Sequence, residues 1–200
     1  MPRLTFWFEF ASTYSYLAAA RIEPLAAGAG VEVAWRPFLL GPIFQAQGWS
    51  TSPFNLFPAK GANMWRDMER QTQKYGLPPL ARPAEFPQNG LLAARLATMG
   101  MAAGWGPAFT RAVYARQFAE GCDISDDNTL RGVLDDIGQD ADALMRQAKT
   151  DQAIKDLLRG ATAEAIALGV YGAPSFTTGD GELFWGNDRL EDALDWARSH

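Results

Sequence analysis

The chain has 200 residues, 48% of them hydrophobic and 20% charged, so one domain can bury roughly two thirds of its unfolded surface without disulfides. Its 18 basic and 23 acidic side chains give a formal net charge of -5, which offers little attraction to a nucleic-acid backbone. No stretch approaches the roughly 20 apolar residues of a membrane helix, and no leader pattern precedes Leu4. We therefore expect a cytoplasmic protein with neither nucleic-acid nor membrane partners.

Two residue types are scarce enough to exclude whole kinds of chemistry. Cys122 is the only cysteine, which excludes an intrachain disulfide, a Cys-x-x-Cys redox pair and multi-cysteine metal sites. The only histidine, His200, is the last residue, where a preorganised catalytic base is not expected. Histidine-dependent hydrolases and ordinary zinc enzymes are thereby excluded, and we expect no metal site. An enzyme of this composition must react through a carboxylate, a lysine or a group that it binds.

The beginning of the chain predicts a strand, a helix and a second strand. Alternating apolar residues from Leu4 onwards predict a strand over 4–10. An alanine- and leucine-rich segment predicts a helix over 14–27, and renewed alternation predicts a strand over 31–36. A crossover helix between two consecutive strands predicts that the strands are parallel.

The middle of the chain is predicted to be helical. Residues 38–57 are rich in glycine, proline and aromatics without a clear period, which predicts a long surface loop with a functional role. Beyond this loop, glycine, proline and aspartate signals separate six predicted helices, over 59–75, 90–101, 106–119, 127–137, 140–148 and 150–168.

The strand pattern returns near the end of the chain. Two short strands, 174–178 and 183–185, flank a Gly-Asp-Gly turn and precede a helix predicted over 188–198 with acidic residues at its start. Since neither end of the chain has enough strands for a stable sheet, we expect the two ends to pair. The pattern predicts an α/β, thioredoxin-like fold in one compact unit. Its core would comprise 1–37 and 166–200, with 38–165 as an inserted helical subdomain.

Ser12 lies where the first strand leads into the first helix, a position that favours anions because the first N–H groups of a helix are unpaired. One interpretation is that Ser12 only caps the helix, as serine commonly does. Another follows from the predicted fold, since thioredoxin-like proteins carry the reactive thiolate of Cys-x-x-Cys at this turn, where this chain has Ser-Thr-Tyr-Ser. Without a base the hydroxyl is no nucleophile, but it can donate a hydrogen bond to a bound anion.

Segments along nearly the whole chain resemble a known enzyme family. Phe8-Glu9-Phe10-Ala11-Ser12-Thr13-Tyr14-Ser15-Tyr16-Leu17-Ala18 resembles the Phe-x-Phe-x-Ser-Pro-Tyr-Ser-Tyr-Leu-Ala segment of 2-hydroxychromene-2-carboxylate isomerases. These enzymes are related to kappa-class glutathione transferases within the DsbA-like branch of thioredoxin folds. Thr13 departs from the family, which usually has proline there. Further resemblances follow in the family's order at Pro58-Ala59-Lys60-Gly61, Phe86-Pro87-Gln88-Asn89, Gly172-Ala173-Pro174-Ser175 and Trp185-Gly186-Asn187-Asp188-Arg189.

The resemblance implies a site for glutathione as a cofactor. It implies that Ser12 is the catalytic residue, which hydrogen-bonds the sulfur. The other residues implied to bind glutathione are Tyr14, Lys60, Ala173, a cis-Pro174, Asn187 and Asp188, with Lys60 on the glycyl carboxylate and Asp188 on the γ-glutamyl ammonium. Asn89 and Trp65 are implied to line the substrate cleft. A homodimer is also expected from the family.

Most of these residues have an alternative role that the sequence leaves open. Pro174 can be a trans proline at the start of an edge strand, and Lys60 can be a solvated surface lysine. Asn187 can cap the last helix while Asp188 complements its dipole, and Asn89 can cap another helix. Trp65 can be part of the hydrophobic core.

The activity implied by the resemblance is the glutathione-dependent interconversion of 2-hydroxychromene-2-carboxylate and trans-o-hydroxybenzylidenepyruvate. Such a reaction belongs to aromatic catabolism, including naphthalene degradation. One alternative is a kappa-like glutathione transferase, which joins the sulfur permanently to an electrophile, and another is a noncatalytic thioredoxin-fold binding domain. Disulfide exchange is disfavoured, because Cys122 has no second cysteine to resolve a mixed disulfide and its acidic neighbours do not favour a thiolate.

Overall fold

A computed structural model describes residues 1–200 and shows a mixed four-stranded sheet with helices on both faces. The elements in chain order are β1 (Arg3–Phe8), α1 (Thr13–Ala29), β2 (Glu32–Pro37), α2 (Leu40–Ala46), α3 (Pro53–Leu56), α4 (Pro58–Lys74), α5 (Leu91–Ala103), α6 (Gly106–Phe118), α7 (Asp127–Asp136), α8 (Ala141–Thr150), α9 (Gln152–Ala167), β3 (Ser175–Thr178), β4 (Leu183–Trp185) and α10 (Leu190–Ser199). A 3₁₀ turn, Asn187–Arg189, lies between β4 and α10.

The sheet joins the two ends of the chain, as the sequence predicted. Its order is β2-β1-β3-β4, with β1 parallel to β2 and antiparallel to β3, and with β3 antiparallel to β4. Trp7 near the end of β1 lies opposite Ser175 at the start of β3. At this end of the two inner strands, the start of α1 therefore lies next to the segment before β3. This arrangement confirms the thioredoxin-like fold class and brings together the two segments of the candidate site.

Both faces of β1 are buried, because helices cover each side of the sheet. Leu4, Phe6 and Phe8 point into the larger core of 37 buried residues, which is shared with α1, α10 and the central helices. Trp7 points the other way, into a smaller cluster with Phe38 of the segment after β2 and residues from α2, α9 and the segment before β3. The sheet is thus held rigidly between two layers of helices.

Two predictions about local structure were wrong. The segment 38–57 is not a long irregular loop, since α2 and α3 form within it. Both helices are short, with seven and four residues, so that too few turns exist for a helical period to be read from the sequence. The first strand ends at Phe8 rather than Phe10, because the backbone turns there and the Ser12 N–H binds the Glu9 carbonyl at 3.0 Å.

The six central helices were predicted correctly to within about two residues at each end. The division into a core of 1–37 and 166–200 and an inserted 38–165 stays a prediction. No helix of the structure is long and apolar enough to cross a membrane.

Candidate functional site

Ser12 occupies the N-cap of α1 and makes two hydrogen bonds with its side chain. The Oγ accepts the Ser15 N–H at 3.1 Å, which is the capping bond, and donates to the Ala173 carbonyl at 2.8 Å. Ser12 is half-buried. The capping interpretation is therefore correct but incomplete, because the same hydroxyl also links the helix to the segment before β3.

The backbone around Ser12 offers hydrogen-bond donors to an anion. Of the first N–H groups of α1, that of Ser15 is bound by the Ser12 Oγ, which leaves those of Thr13 and Tyr14 for a ligand. These N–H bonds point out of the N-terminus of α1, and their hydrogens carry positive partial charge. A negatively charged sulfur or oxygen next to Ser12 would be stabilised by this arrangement.

The segment before β3 faces this turn. The Ala173–Pro174 peptide bond is cis, as the family resemblance implied, and not the trans bond that the sequence left open. The Ala173 carbonyl accepts only the Ser12 hydroxyl, and no protein group accepts the Ala173 N–H. Ala173 therefore presents a donor and an acceptor of the backbone to an extended peptide.

Tyr14 connects α1 to α4 instead of pointing freely into solvent. Its hydroxyl donates to Asp67 Oδ2 at 3.0 Å, and its ring lies 6.4 Å from that of Phe54. Burial raises the pKa of the Tyr14 phenol, as do the hydrogen bond and the charge of Asp67. The charge of Asp188, which lies in the 3₁₀ turn that packs against α1, raises it further.

Lys60 lies in the first turn of α4 with its side chain exposed, and its Nζ is 4.6 Å from the centre of the Phe57 ring. The next residue, Gly61, is buried against α3. A Cβ atom at Gly61 would be 2.4 Å from the backbone oxygen of Phe54. The glycine thus lets α3 and α4 approach closely, which sets the position of Lys60.

Replacing Gly61 with Ala is expected to lower the free energy of unfolding by about 1–3 kcal/mol, because the new methyl group meets a backbone atom that cannot rotate away. Urea denaturation measures this change. Gly132→Ala in α7 is the matched control, since nothing lies within 4 Å of its Cβ position, and it should be neutral or stabilising. Equal effects of the two substitutions would contradict the close packing of α3 on α4.

Asn89 and Trp65, the two residues implied to contact substrate, lie in different environments. Asn89 is exposed, and its Oδ1 accepts the Leu91 N–H at 3.1 Å at the start of α5, where Gly90 is the N-cap residue. A Cβ atom at Gly90 would be 2.9 Å from the Phe10 Cβ, so this segment packs on the turn before Ser12. Trp65 is only 8% exposed and belongs to the core, edge-on to Phe86 at 4.9 Å.

Asn187 does not cap the last helix, contrary to that prediction. Its side chain is 4% exposed, because its Oδ1 accepts a hydrogen bond from Arg21 Nη1 at 2.9 Å and its Nδ2 lies 3.4 Å from the Tyr75 hydroxyl. Helix α10 begins three residues later, at Leu190. Asp188, in contrast, is exposed in the 3₁₀ turn, where its Oδ2 lies 3.9 Å from Arg189 Nη2 and its other oxygen can still accept from a cation.

Glu9 is a buried carboxyl group that sequence reasoning missed. It lies between Phe8 and Phe10 in the alternating segment, on the side opposite the phenylalanines, yet only 8% of it is exposed. Its Oε2 accepts the Ala11 N–H at 2.8 Å, and its carbonyl oxygen accepts the Tyr114 hydroxyl at 2.8 Å. Burial raises the pKa of Glu9 from 4.5 to about 7, against the opposing effect of the Ala11 hydrogen bond.

Residues 3–195 match the family described as the DSBA-like thioredoxin domain. A 2-hydroxychromene-2-carboxylate isomerase of Sphingobium xenophagum is 36% identical over 189 residues, which cover 94% of each chain. Glutathione S-transferase kappa 1 of Caenorhabditis elegans is 27% identical over 203 residues, covering 95% of this chain and 88% of the relative. A solved structure of a 2-hydroxychromene-2-carboxylate isomerase superposes with a TM-score of 0.86 at 27% identity, covering 98% of this chain and 94% of the other.

The sequence motifs, the fold and these relatives agree with one another. The motif around Ser12 and the cis-Pro174 segment come together at one edge of the sheet. With a family match over nearly the whole length and 36% identity to an isomerase over 94% of both chains, the chain belongs to the 2-hydroxychromene-2-carboxylate isomerase family of DsbA-like thioredoxin proteins.

Proposed function

We propose that this protein is a glutathione-dependent isomerase that interconverts 2-hydroxychromene-2-carboxylate and trans-o-hydroxybenzylidenepyruvate, or a closely related aromatic 2-oxo acid. The observation that carries the proposal is the position of the Ser12 hydroxyl. It lies at the N-terminus of α1 and opposite the cis-Pro174 segment, where thioredoxin-like enzymes hold their reactive cysteine. Cys122, the only thiol of the chain, lies between α6 and α7 instead. The site therefore suits a sulfur that is brought in by a ligand.

The groups around Ser12 fit the separate parts of glutathione. The Ser12 hydroxyl and the free N–H groups of the first turn suit a thiolate. The backbone of Ala173 suits the cysteinyl peptide unit, with its unpaired N–H and its carbonyl. The exposed Lys60 suits a carboxylate, and the exposed Asp188 suits an ammonium group.

The energy needed to form a thiolate is available at this turn. The usual pKa of a thiol is about 8.5, and it must fall by about 2 for the thiol to be mostly ionised at neutral pH. This change requires about 2.7 kcal/mol of preferential stabilisation of the thiolate. A hydrogen bond to an anion is worth about 1.5–3 kcal/mol and a helix N-terminus about 0.3–1 kcal/mol. Ser12 and the first turn of α1 together suffice.

The structure also indicates what Ser12 must do when the cofactor binds. Its hydroxyl donates to the Ala173 carbonyl, so it must rotate to donate to a sulfur, and the carbonyl then becomes available to a peptide N–H. Bound glutathione supplies a nucleophilic sulfur, whose reversible addition to a conjugated double bond allows that bond to rotate. The half-buried Phe54 and the exposed Asn89 offer an aromatic and a polar contact for the substrate.

The proposal is tested with exhaustively dialysed protein and trans-o-hydroxybenzylidenepyruvate, following the absorbance change on ring closure. We expect activity only when glutathione is added. S-methylglutathione is the matched control, because it keeps every binding group but has no free thiol, and it should not restore activity. Full activity of the dialysed protein without any added thiol would refute the proposal.

A kappa-like glutathione transferase is the second candidate, because relatives of that name align with 95% of this chain. Mass spectrometry of the reaction separates the two activities, since an isomerase returns glutathione unmodified whereas a transferase consumes it. Isothermal titration with glutathione tests the noncatalytic alternative, which predicts no heat of binding. Cytoplasmic location, homodimerisation and a role in naphthalene degradation stay predictions.

A further inference from the structure

Arg21 lies in α1, two helical turns beyond Ser12, and it joins four elements next to the exposed Asp188. Its side chain is 12% exposed, and its guanidinium carbon lies 3.9 Å from the centre of the Tyr75 ring at the end of α4. Nη1 donates to Asn187 Oδ1 at 2.9 Å, and Nη2 donates to Glu191 in α10. One guanidinium thus holds α1, α4, the 3₁₀ turn and α10 together.

Arg21 and Tyr14 lie seven residues apart on α1, so their side chains share one face of the helix. Tyr14 fixes the middle of α4 through Asp67, and Arg21 fixes its end by stacking on Tyr75. The same face therefore determines where α4 and the 3₁₀ turn stand relative to the start of α1. Asp188 lies in that turn, directly after Asn187.

Asn187 transmits this restraint to Asp188. Because its side chain is buried between Arg21 and Tyr75, the backbone of the turn has little freedom at this residue. The turn is further held by the Gly186 N–H, which donates to the Pro174 carbonyl at 3.0 Å. The carboxylate of Asp188, whose Oδ2 also lies 3.9 Å from Arg189 Nη2, is therefore carried on a turn that Arg21 and Tyr75 hold in place through Asn187.

We propose that Arg21 is a positioning residue for the ammonium end of the ligand: by fixing Asn187 it holds the Asp188 carboxylate in place. The inference rests on the proposed glutathione site. A lysine cannot replace this arginine, because only the planar guanidinium stacks on a ring while donating to two separate acceptors.

Isothermal titration of the full-length protein with glutathione tests the inference. Arg21→Met and Arg21→Lys should each raise the Kd for glutathione about fivefold to twentyfold, while turnover at saturating glutathione stays within about twofold. Asn187→Ala should raise the Kd for glutathione by a similar factor, and the Arg21→Lys, Asn187→Ala double variant should bind glutathione no more weakly than either single one, because both act on the same turn. Glu191→Gln is the control, since it removes the ion pair but leaves the bond to Asn187, and it should keep the wild-type Kd.

Cysteinylglycine separates positioning from general destabilisation. This dipeptide lacks the γ-glutamyl ammonium, so its affinity should be the same for wild type and for each Arg21 variant. Equal weakening for both ligands would overturn the inference, as would a wild-type Kd for glutathione in both Arg21→Lys and Asn187→Ala. If the wild-type protein itself binds no glutathione, the proposed function falls together with the inference.

Discussion

Replacing Ser12 with Ala is expected to lower isomerase turnover by about 10-fold to 150-fold, because a hydrogen bond worth about 1.5–3 kcal/mol to the sulfur anion is lost. Glutathione affinity should change by less than about threefold, since Ala173, Lys60 and Asp188 remain. Turnover and Kd are measured separately, at saturating substrate and by titration. The pKa of the bound thiol, followed by thiolate absorbance, should rise by about 1–2.

Two features keep the Ser12→Ala result interpretable. The loss of the cap is expected to cost about 1 kcal/mol of stability, which leaves a folded protein if the domain has ordinary stability. Thr13→Val is the matched control in the same turn, because the Thr13 hydroxyl is buried without a hydrogen-bond partner. That variant should keep turnover within about twofold. Unchanged turnover in Ser12→Ala would mean that Ser12 is only a helix cap.

Replacing Glu9 with Gln is expected to stabilise the protein at neutral pH by about 3 kcal/mol and to have little effect near pH 4.5. Burial raises the pKa of Glu9 from 4.5 to about 7, so the folded protein keeps this proton over a range in which the unfolded chain has lost it. Stability must therefore fall as the pH rises from about 4.5 to about 7, and it stays reduced above that. Glutamine is neutral throughout, and its side-chain oxygen can still accept the Ala11 N–H.

Urea denaturation at several pH values between 5 and 8 measures this difference between wild type and Glu9→Gln. The titration of groups that do not interact with Glu9 cancels in the comparison. Tyr114 does interact with Glu9, but its pKa is raised well above its usual value by burial and by Glu9, so it stays protonated in both proteins over this range. Glu85→Gln is the control for the substitution itself, since Glu85 is exposed and its replacement should leave the free energy of unfolding nearly unchanged. Parallel stability curves for wild type and Glu9→Gln would show that Glu9 ionises normally.

Burial of Glu9 has a consequence for the site itself. The carboxyl accepts the N–H of Ala11, the residue directly before Ser12, so it helps to shape the turn that carries the hydroxyl. A charged Glu9 would oppose a thiolate bound nearby, whereas a neutral Glu9 would not. A pKa of about 7 places this change within the neutral range.

Much of the fold was predictable because it follows from patterns between near neighbours in the chain. Alternation of apolar residues identified β1 and β2, and the Gly-Asp-Gly turn identified the β3–β4 hairpin. The central helices are long enough for their boundaries to be read from capping and glycine signals. Ser12 stood out by its place between a strand and a helix, whereas the cis bond at Pro174 was implied only by the family resemblance.

What the sequence by itself determined is therefore the order of the elements, the fold class and the two segments that meet at the candidate site. Tertiary structure alone decided which polar side chains turn inwards. Glu9 turns inwards just after β1 ends, and Asn187 is held inside by Arg21, 166 positions away. Such contacts depend on how distant elements pack, and no local pattern of residues records them.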